Sequence, residues 1–136
     1  EINPSNLLEI GPHDIPLTYD SDTLDISNEN NPTYHHDAKI TPYPIEDKKY
    51  DLVVATQVWE HLENSQLEAF KEYKRISKNA IFSFPYKWTH SNDHHNNITK
   101  EVIAEWTDNY PPEKIIIVPN NSEKTKSKRI IYQFKF

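Results

Sequence analysis

The chain has 136 residues, a formal net charge of −6 and a sequence pI near 5.6, with one glycine and no cysteine. The length fits a single domain, residues 1–136, with one hydrophobic core. The negative charge argues against a nucleic-acid partner, and the absence of any apolar run of about 18 residues argues against a membrane partner. A chain without cysteines needs no disulfides, and we expect a cytoplasmic protein.

Short runs of β-branched and aromatic residues predict seven strands. The runs at 50–55 and 80–84 are almost continuously apolar, which is typical of parallel strands that are covered on both faces. The runs at 114–118 and 130–136 flank a polar loop and predict an antiparallel hairpin, with the basic cluster 123–129 at its tip. The remaining runs lie at 6–10, 23–26 and 33–36.

Two amphipathic stretches predict helices that pack on the sheet. Residues 64–77 include Ser65 followed three residues later by Glu68, the pattern of a capping box. Residues 99–110 begin with Thr99, a residue type that favours the N-cap, and end before a pair of prolines. Strands that alternate with capped helices and end in a hairpin indicate an α/β fold with an antiparallel edge.

The first half of the chain lacks the helices that usually connect parallel strands. Gly11 and Asp25 are separated by 13 residues, and Asp25 and Asp37 by 11, and neither stretch has a helical period. We therefore expect several crossover helices to be shortened or missing. A sheet face without helices exposes apolar residues, which predicts a homodimer or a companion domain.

Polar residues collect where the predicted parallel strands end. Glu9 and Gly11 lie at the end of the first run, Asp25 and Asp37 at the ends of the next two, and Gln57 at the end of the fourth. In open parallel sheets, ligands bind outside these carboxyl ends. The only glycine of the chain lies here, where a ligand would approach the main chain. The pattern predicts a ligand-binding site at this edge.

Five segments resemble the ordered motifs of class I S-adenosylmethionine-dependent methyltransferases: LLEIGP, LDIS, HDA, PYPIEDKKYDLVVATQVWEHL and AIFSFP. The most specific is YDLVVATQVWEHL, which is similar to a segment of the small-molecule branch of that family. The resemblance runs from residue 7 to about 106, and the terminal hairpin fits the sixth and seventh strands. It implies a Rossmann-like, mostly parallel seven-stranded sheet, S-adenosyl-L-methionine as cofactor, and methyl transfer to a small-molecule acceptor.

The resemblance also implies roles for individual residues. Glu9 would organise the amino group of the cofactor, Asp25 would accept hydrogen bonds from both ribose hydroxyls, and a Cβ at Gly11 would collide with the cofactor. Ile26 would pack on the adenine, and Gln57 would line the methyl-transfer pocket. The full set of implied cofactor-binding residues is Glu9, Gly11, Pro12, Asp25, Ile26, Asp37, Ala38 and Gln57.

The loop that begins at Gly11, which we call the glycine loop, departs from the family pattern. That loop usually has two or three glycines, whereas His13 and Asp14 stand here after Pro12. The departure favours an alternative function, a catalytically inactive methyltransferase-fold domain that serves as a binding or structural module. A nicotinamide-dependent oxidoreductase is a distant third interpretation, because the chain contains no G-x-G-x-x-G motif.

Histidines supply the candidates for catalysis. The segment HSNDHH, residues 90–95, follows the fifth predicted strand, and His94 or His95 could act as a general base, with His61 as a further candidate. The segment lacks a rigid helical frame for its imidazoles, so we predict no metal site. Around it, PYKWTHSNDHHNN mixes aromatic rings with amides and imidazoles, a composition that suits a sugar hydroxyl as the acceptor.

Overall fold

The computed structural model describes residues 3–88, 97–119 and 128–136. The helices within them are a 3₁₀ turn at Trp59–His61, α1 at Gln66–Ile76 and α2 at Lys100–Trp106. The strands are β1 Leu7–Ile10, β2 Asp22–Asp25, β3 Tyr34–His35, β4 Leu52–Thr56, β5 Asn79–Tyr86, β6 Lys114–Pro119 and β7 Lys128–Lys135.

The seven strands form one sheet in the order β3-β2-β1-β4-β5-β7-β6. The first five strands run parallel to one another, and β7 runs antiparallel to both β5 and β6. No helix connects β1 to β2, β2 to β3 or β3 to β4 within the described chain. The structure confirms the predicted α/β class, the Rossmann-like sheet, the terminal hairpin and the missing crossover helices.

Both α-helices pack on the same face of the sheet. The Phe70 ring of α1 lies 6.3 Å from that of Phe82 on β5, and the Trp106 ring of α2 lies 6.2 Å from that of Phe84, two residues further along the same strand. Side chains two residues apart on a strand share a face. Trp59, from the 3₁₀ turn, is completely buried, and its ring centroid lies 4.7 Å from that of Phe82. Aromatic rings thus make up a large part of the core on this face.

The two helices begin differently. Thr99 caps α2 as predicted, because its side chain accepts a hydrogen bond from the backbone amide of Val102 at 3.4 Å. The capping box predicted for α1 is wrong: Ser65 has φ −95° and ψ 5°, outside the extended region that an N-cap serine adopts, and its side chain makes no capping bond. Glu68 pairs instead with Lys71 at 2.7 Å.

The opposite face of the sheet carries no helix from the described residues. Nor is any helix among those residues long and apolar enough to cross a membrane.

Candidate functional site

A cleft of about 360 Å³ opens at the carboxyl ends of the parallel strands, a volume typical of a small-molecule site. It is lined by residues that follow β1, β2, β3 and β4 and by the 3₁₀ turn. Seven of the predicted site residues line it: Gly11, Asp25, Ile26, Asp37, Ala38, Gln57 and His61. Glu9 and Pro12 are not among its lining residues, and His94 and His95 lie outside the described residues.

Gly11 shapes the floor of the cleft. Its backbone has φ +62°, in the left-handed region that side chains disfavour, and its amide donates to the carbonyl of Leu24 at 2.8 Å. A Cβ at this position would lie 2.8 Å from Cγ2 of Val58. A side chain at residue 11 therefore collides within the protein itself. The predicted collision of such a side chain with the cofactor stays a prediction.

Asp25 lies at the end of β2 and is 8% exposed. One carboxylate oxygen accepts a hydrogen bond from the amide of His13 at 3.0 Å, and the other accepts one from the amide of Ser27 at 2.8 Å. A carboxylate has about four acceptor positions, so two remain for a ligand. Asp25 can therefore hold the glycine loop and accept hydrogen bonds from a ligand at the same time.

The segment after β3 forms another wall of the cleft. Asp37 accepts a hydrogen bond from the amide of Lys39 at 2.9 Å, closing a tight turn. The carbonyl of Ala38 accepts a hydrogen bond from the hydroxyl of Tyr43 at 2.7 Å. Burial, with a contribution from neighbouring Tyr73, raises the pKa of Tyr43 far above its usual value, so this phenol remains a donor at every physiological pH.

A charged network attaches this wall to α1. The amide of Tyr43 donates to Glu72 at 2.6 Å, and Arg75 donates to Glu72, to Asp47 and to the carbonyls of Tyr43 and Ile45. Burial raises the pKa of Glu72, but the hydrogen bonds from Arg75 and the Tyr43 amide outweigh it and hold that pKa below its usual value. Sequence analysis missed this network, because the residues of α1 lie about 30 residues along the chain from their partners at 43–47.

Glu9 has partners within the protein. Its carboxylate accepts hydrogen bonds from the amides of Leu17 and Thr18, at 2.7 and 3.2 Å, and from the hydroxyl of Ser21 at 2.6 Å. These bonds hold the loop 12–21 in the place where a connecting helix is missing. The predicted contact of Glu9 with the amino group of the cofactor stays a prediction.

The end of β4 supplies the remaining wall. Gln57 is exposed and has φ +58°, so the chain turns sharply at the mouth of the cleft. The 3₁₀ turn that follows brings His61 to the same wall. Sequence analysis did not predict this turn, since three residues are too few to show a helical period.

A second cleft, of about 470 Å³, lies beside the first and shares Glu63 with it. Carboxylates, amides and one indole line it: Glu60, Glu63, Asn64, Gln66 and Trp106. Glu60 is 3% exposed, and Glu63 pairs with Lys39 at 3.4 Å. This lining suits a polar small molecule that has an apolar face.

The histidine-rich segment 90–95, including Asp93, lies outside the described residues. Within the described part of the chain, no three His, Asp or Glu side chains are arranged to hold a metal ion.

Comparison with known proteins identifies the family. The sequence profile of the methyltransferase domain family matches residues 6–81, more than half of the chain. The chain belongs to this family. It is a class I S-adenosylmethionine-dependent methyltransferase by sequence and fold, and S-adenosylmethionine is its cofactor. No curated protein sequence matches the chain significantly.

Solved methyltransferase structures share the fold. NodS, an N-methyltransferase from Bradyrhizobium japonicum WM9, is 16% identical, with a TM-score of 0.69 over 97% of this chain and 85% of its own. Its complex with S-adenosyl-L-homocysteine is 14% identical, with a TM-score of 0.70 over 97% of this chain and 78% of its own. A SAM-dependent methyltransferase from Aquifex aeolicus is 11% identical, with a TM-score of 0.62 over 95% of this chain and 81% of its own. The N-terminal domain of EvdMO1, studied in the presence of SAH and D-fucose, is 10% identical, with a TM-score of 0.60 over 98% of this chain and 76% of its own.

The residues at the strand ends fit this cofactor. Asp25 keeps acceptor capacity toward the cleft, and Ile10, Leu24 and Ile26 give the cleft apolar walls. A nucleoside needs both features, since its ribose presents two adjacent hydroxyl donors and its base presents an apolar face.

Proposed function

We propose that this chain binds S-adenosylmethionine in the cleft at the strand ends and transfers its methyl group to a small-molecule acceptor. The observation that carries the proposal is the convergence of Gly11, Asp25, Asp37 and Gln57, from four separate strand ends, on one cleft. We propose further that residues 1–136 act as a single methyltransferase domain. The cytoplasmic location stays a prediction.

The contacts around the cleft support the cofactor-binding roles that we propose. Asp25 accepts hydrogen bonds from the ribose hydroxyls through the acceptor positions that His13 and Ser27 leave open. Ile26 and Ala38 contact the adenine, and Gln57 lines the part of the cleft next to the acceptor. The bound cofactor supplies a methyl group bonded to a positively charged sulfonium sulfur. That sulfur leaves as a neutral thioether, so the leaving group needs no further activation by the protein. The task of the protein is then alignment of the acceptor with that methyl carbon.

The acceptor enters through the second cleft, in this proposal. Trp106 offers an apolar surface on which a sugar ring can stack, while Glu60, Gln66 and Asn64 can pair with hydroxyls. A sugar hydroxyl is therefore our candidate acceptor. The EvdMO1 domain named above was studied with D-fucose, which supports including sugars among the compounds tested. NodS is an N-methyltransferase, so amines form the competing class.

The candidates for a general base are His94, His95 and His61. His61 is exposed and lines the cofactor cleft. His94 and His95 follow β5 in the sequence, and their role rests on the resemblance alone. A neutral imidazole could remove the proton of a hydroxyl as it attacks the methyl carbon.

Two measurements test the proposal. Calorimetry with S-adenosylhomocysteine should show binding at one site, and no binding would overturn the cofactor assignment. Incubation with S-adenosylmethionine and sugars, amines, peptides or RNA should release S-adenosylhomocysteine only with a small molecule. Turnover with RNA or peptide alone would contradict the proposed acceptor class.

Variants of the histidines refine the second measurement. The double variant His94→Ala/His95→Ala should bind S-adenosylhomocysteine as the wild type does but turn over more slowly, with His90→Ala as the control from the same segment. Undiminished turnover would remove both histidines from the mechanism. Binding without turnover on any acceptor would favour the alternative, an inactive methyltransferase-fold module, which the single glycine of the cofactor loop also favours.

A further inference from the structure

An ion pair joins two walls of the cofactor cleft, and we call it the clasp. Lys39 belongs to the wall that follows β3, and Glu63 belongs to the wall that follows β4. The Nζ atom of Lys39 lies 3.4 Å from Oε2 of Glu63. In the described chain, Lys39 is the only lysine or arginine that lines this cleft, and Glu63 is its only ion-pair partner. The two walls are thus joined by charge at this point.

The strands that precede the two residues are not neighbours in the sheet. β2 and β1 lie between β3 and β4, so three spacings of about 4.8 Å, or roughly 14 Å in all, separate the two strands. The 3.4 Å contact of the clasp shows that the segments after β3 and β4 nevertheless converge. Gly11 and Asp25, which lie at the ends of the intervening strands, line the same cleft. The clasp therefore joins the walls across the strand ends that carry the proposed cofactor site.

The wall that carries Glu63 holds an unfavourable backbone shape. Gln57, Glu63 and Asn64 have φ values of +58°, +42° and +70°, in the left-handed region that residues with side chains disfavour. Such conformations persist where surrounding contacts hold them. The completely buried Trp59 anchors this wall in the core, whereas the side chain of Glu63 is 56% exposed and is restrained by its ion pair with Lys39. Without the clasp, we expect the outer part of this wall to move more freely.

We propose that the clasp holds the two walls together around the bound cofactor and slows its release. This inference rests on the proposed function, in which Ala38, the neighbour of Lys39, contacts the adenine. On the facing wall, Val58 lines the cleft. The clasp fixes the distance between these two surfaces in advance of binding, so the cofactor does not have to order them itself. Lys39 and Glu63 are then positioning residues, which act on the cofactor through the two walls.

The exposure of the clasp sets the size of the expected effect. The side chain of Lys39 is 34% exposed and that of Glu63 is 56% exposed, so water and ions reach both charges. Exposed ion pairs change an equilibrium or rate constant by at most about fivefold, which corresponds to about 1 kcal/mol. We expect this change mainly in the dissociation rate. Salt should screen the clasp, so the difference between wild type and clasp variants should shrink as the salt concentration rises.

The test measures both rate constants of S-adenosylhomocysteine binding by surface plasmon resonance with the immobilised chain. Lys39→Met and Glu63→Gln should each speed dissociation about three- to fivefold and change association less. The double variant should release the ligand no faster than the single variants, because all three lack the same ion pair. Glu68→Gln is the control: Glu68 is also 56% exposed and pairs with Lys71, but it lies on α1 and is not a lining residue of the cleft. This control should release the ligand as the wild type does.

Exchange of the two charges provides a second arm. Lys39→Glu places two carboxylates on facing walls and should speed release about tenfold, and the addition of Glu63→Lys should recover most of the slow release. Circular dichroism would verify that each variant folds. No binding by the wild type would overturn the proposed function together with the clasp, whereas binding with unchanged release in all clasp variants would overturn the clasp alone. Faster release in Lys39→Met but not in Glu63→Gln would overturn it in favour of a direct contact between Lys39 and the cofactor.

Discussion

The carboxylate of Asp25 accepts a hydrogen bond from the backbone amide of His13 at 3.0 Å, which joins the end of β2 to the loop after β1. The two residues line the same cleft. The acid proposed to bind the ribose therefore also fixes the shape of the glycine loop. A chain with one glycine keeps this loop in place through the side chain of Asp25.

The first prediction concerns Asp25→Ala. This change removes the proposed ribose acceptors and both of the amide contacts, and it should weaken S-adenosylhomocysteine binding by about 1–3 kcal/mol, or roughly 5- to 150-fold. Calorimetry measures the affinity. Glu29→Ala, which removes an exposed carboxylate in the following loop, is the control and should bind normally. Equal affinities in the two variants would reject the assignment of Asp25.

The second prediction concerns the contact between residues 11 and 58. Gly11→Ala should destabilise the protein through the left-handed backbone, by about 1–2 kcal/mol, and through the clash with Val58, by about 1–3 kcal/mol. Urea unfolding measures the loss. The double variant Gly11→Ala/Val58→Ala should lose less than the sum of the two single variants, because it removes the clash. Strict additivity would contradict the collision.

Local sequence patterns were enough to predict the seven strands and the two α-helices, although not the 3₁₀ turn. The apolar runs of β4 and β5 and the polar loop of the hairpin predict strands because each pattern reflects burial of that segment. The capping box at Ser65 failed, because a side chain that could cap need not adopt the required backbone conformation. The preference of serine for the N-cap position therefore does not by itself decide how α1 begins.

The site could be predicted in part because its residues lie at the carboxyl ends of parallel strands, and these ends meet at one edge of the sheet. Asp25 and Asp37 could be predicted because each lies at or just after the end of a predicted strand. The network that supports the cleft could not be predicted, since the fold brings Tyr43 to Glu72 and Arg75 across about 30 residues of sequence. Glu9 shows the same limit: its position predicts a polar site, but its partners lie in an irregular loop.

The third prediction compares the two helix starts. Thr99→Ala removes the capping bond of α2 and should cost about 0.5–1 kcal/mol, the lower part of the usual range, because the bond is long at 3.4 Å. Ser65→Ala removes a side chain that makes no capping bond and should cost less than about 0.5 kcal/mol. Urea unfolding at neutral pH gives both values. A larger loss for Ser65→Ala would show that α1 is capped after all.

The fourth prediction concerns pH and the network that supports the wall of the cleft. The pKa of Glu72 is lowered in the folded protein, whereas a glutamate in the unfolded chain has a pKa of about 4.3. Its contribution to stability is therefore complete above about pH 4.3 and is lost as the pH falls through the lower folded pKa. The Glu72→Gln variant should be less stable by about 1–3 kcal/mol at pH 7, since it loses charged hydrogen bonds to Arg75 and Tyr43.

The difference between wild type and Glu72→Gln should shrink as the pH falls below about 4, because the wild-type carboxylate then loses its charge as well. Urea unfolding at several pH values between 3 and 7 measures this convergence. Glu68→Gln, on the same helix, removes an exposed ion pair with Lys71 and should change stability by less than about 1 kcal/mol at any pH. If the curves of wild type and Glu72→Gln stayed parallel down to pH 3, the charge of Glu72 would have no part in holding Tyr43, and the wall that carries Ala38 would depend on the hydroxyl of Tyr43 and on packing alone.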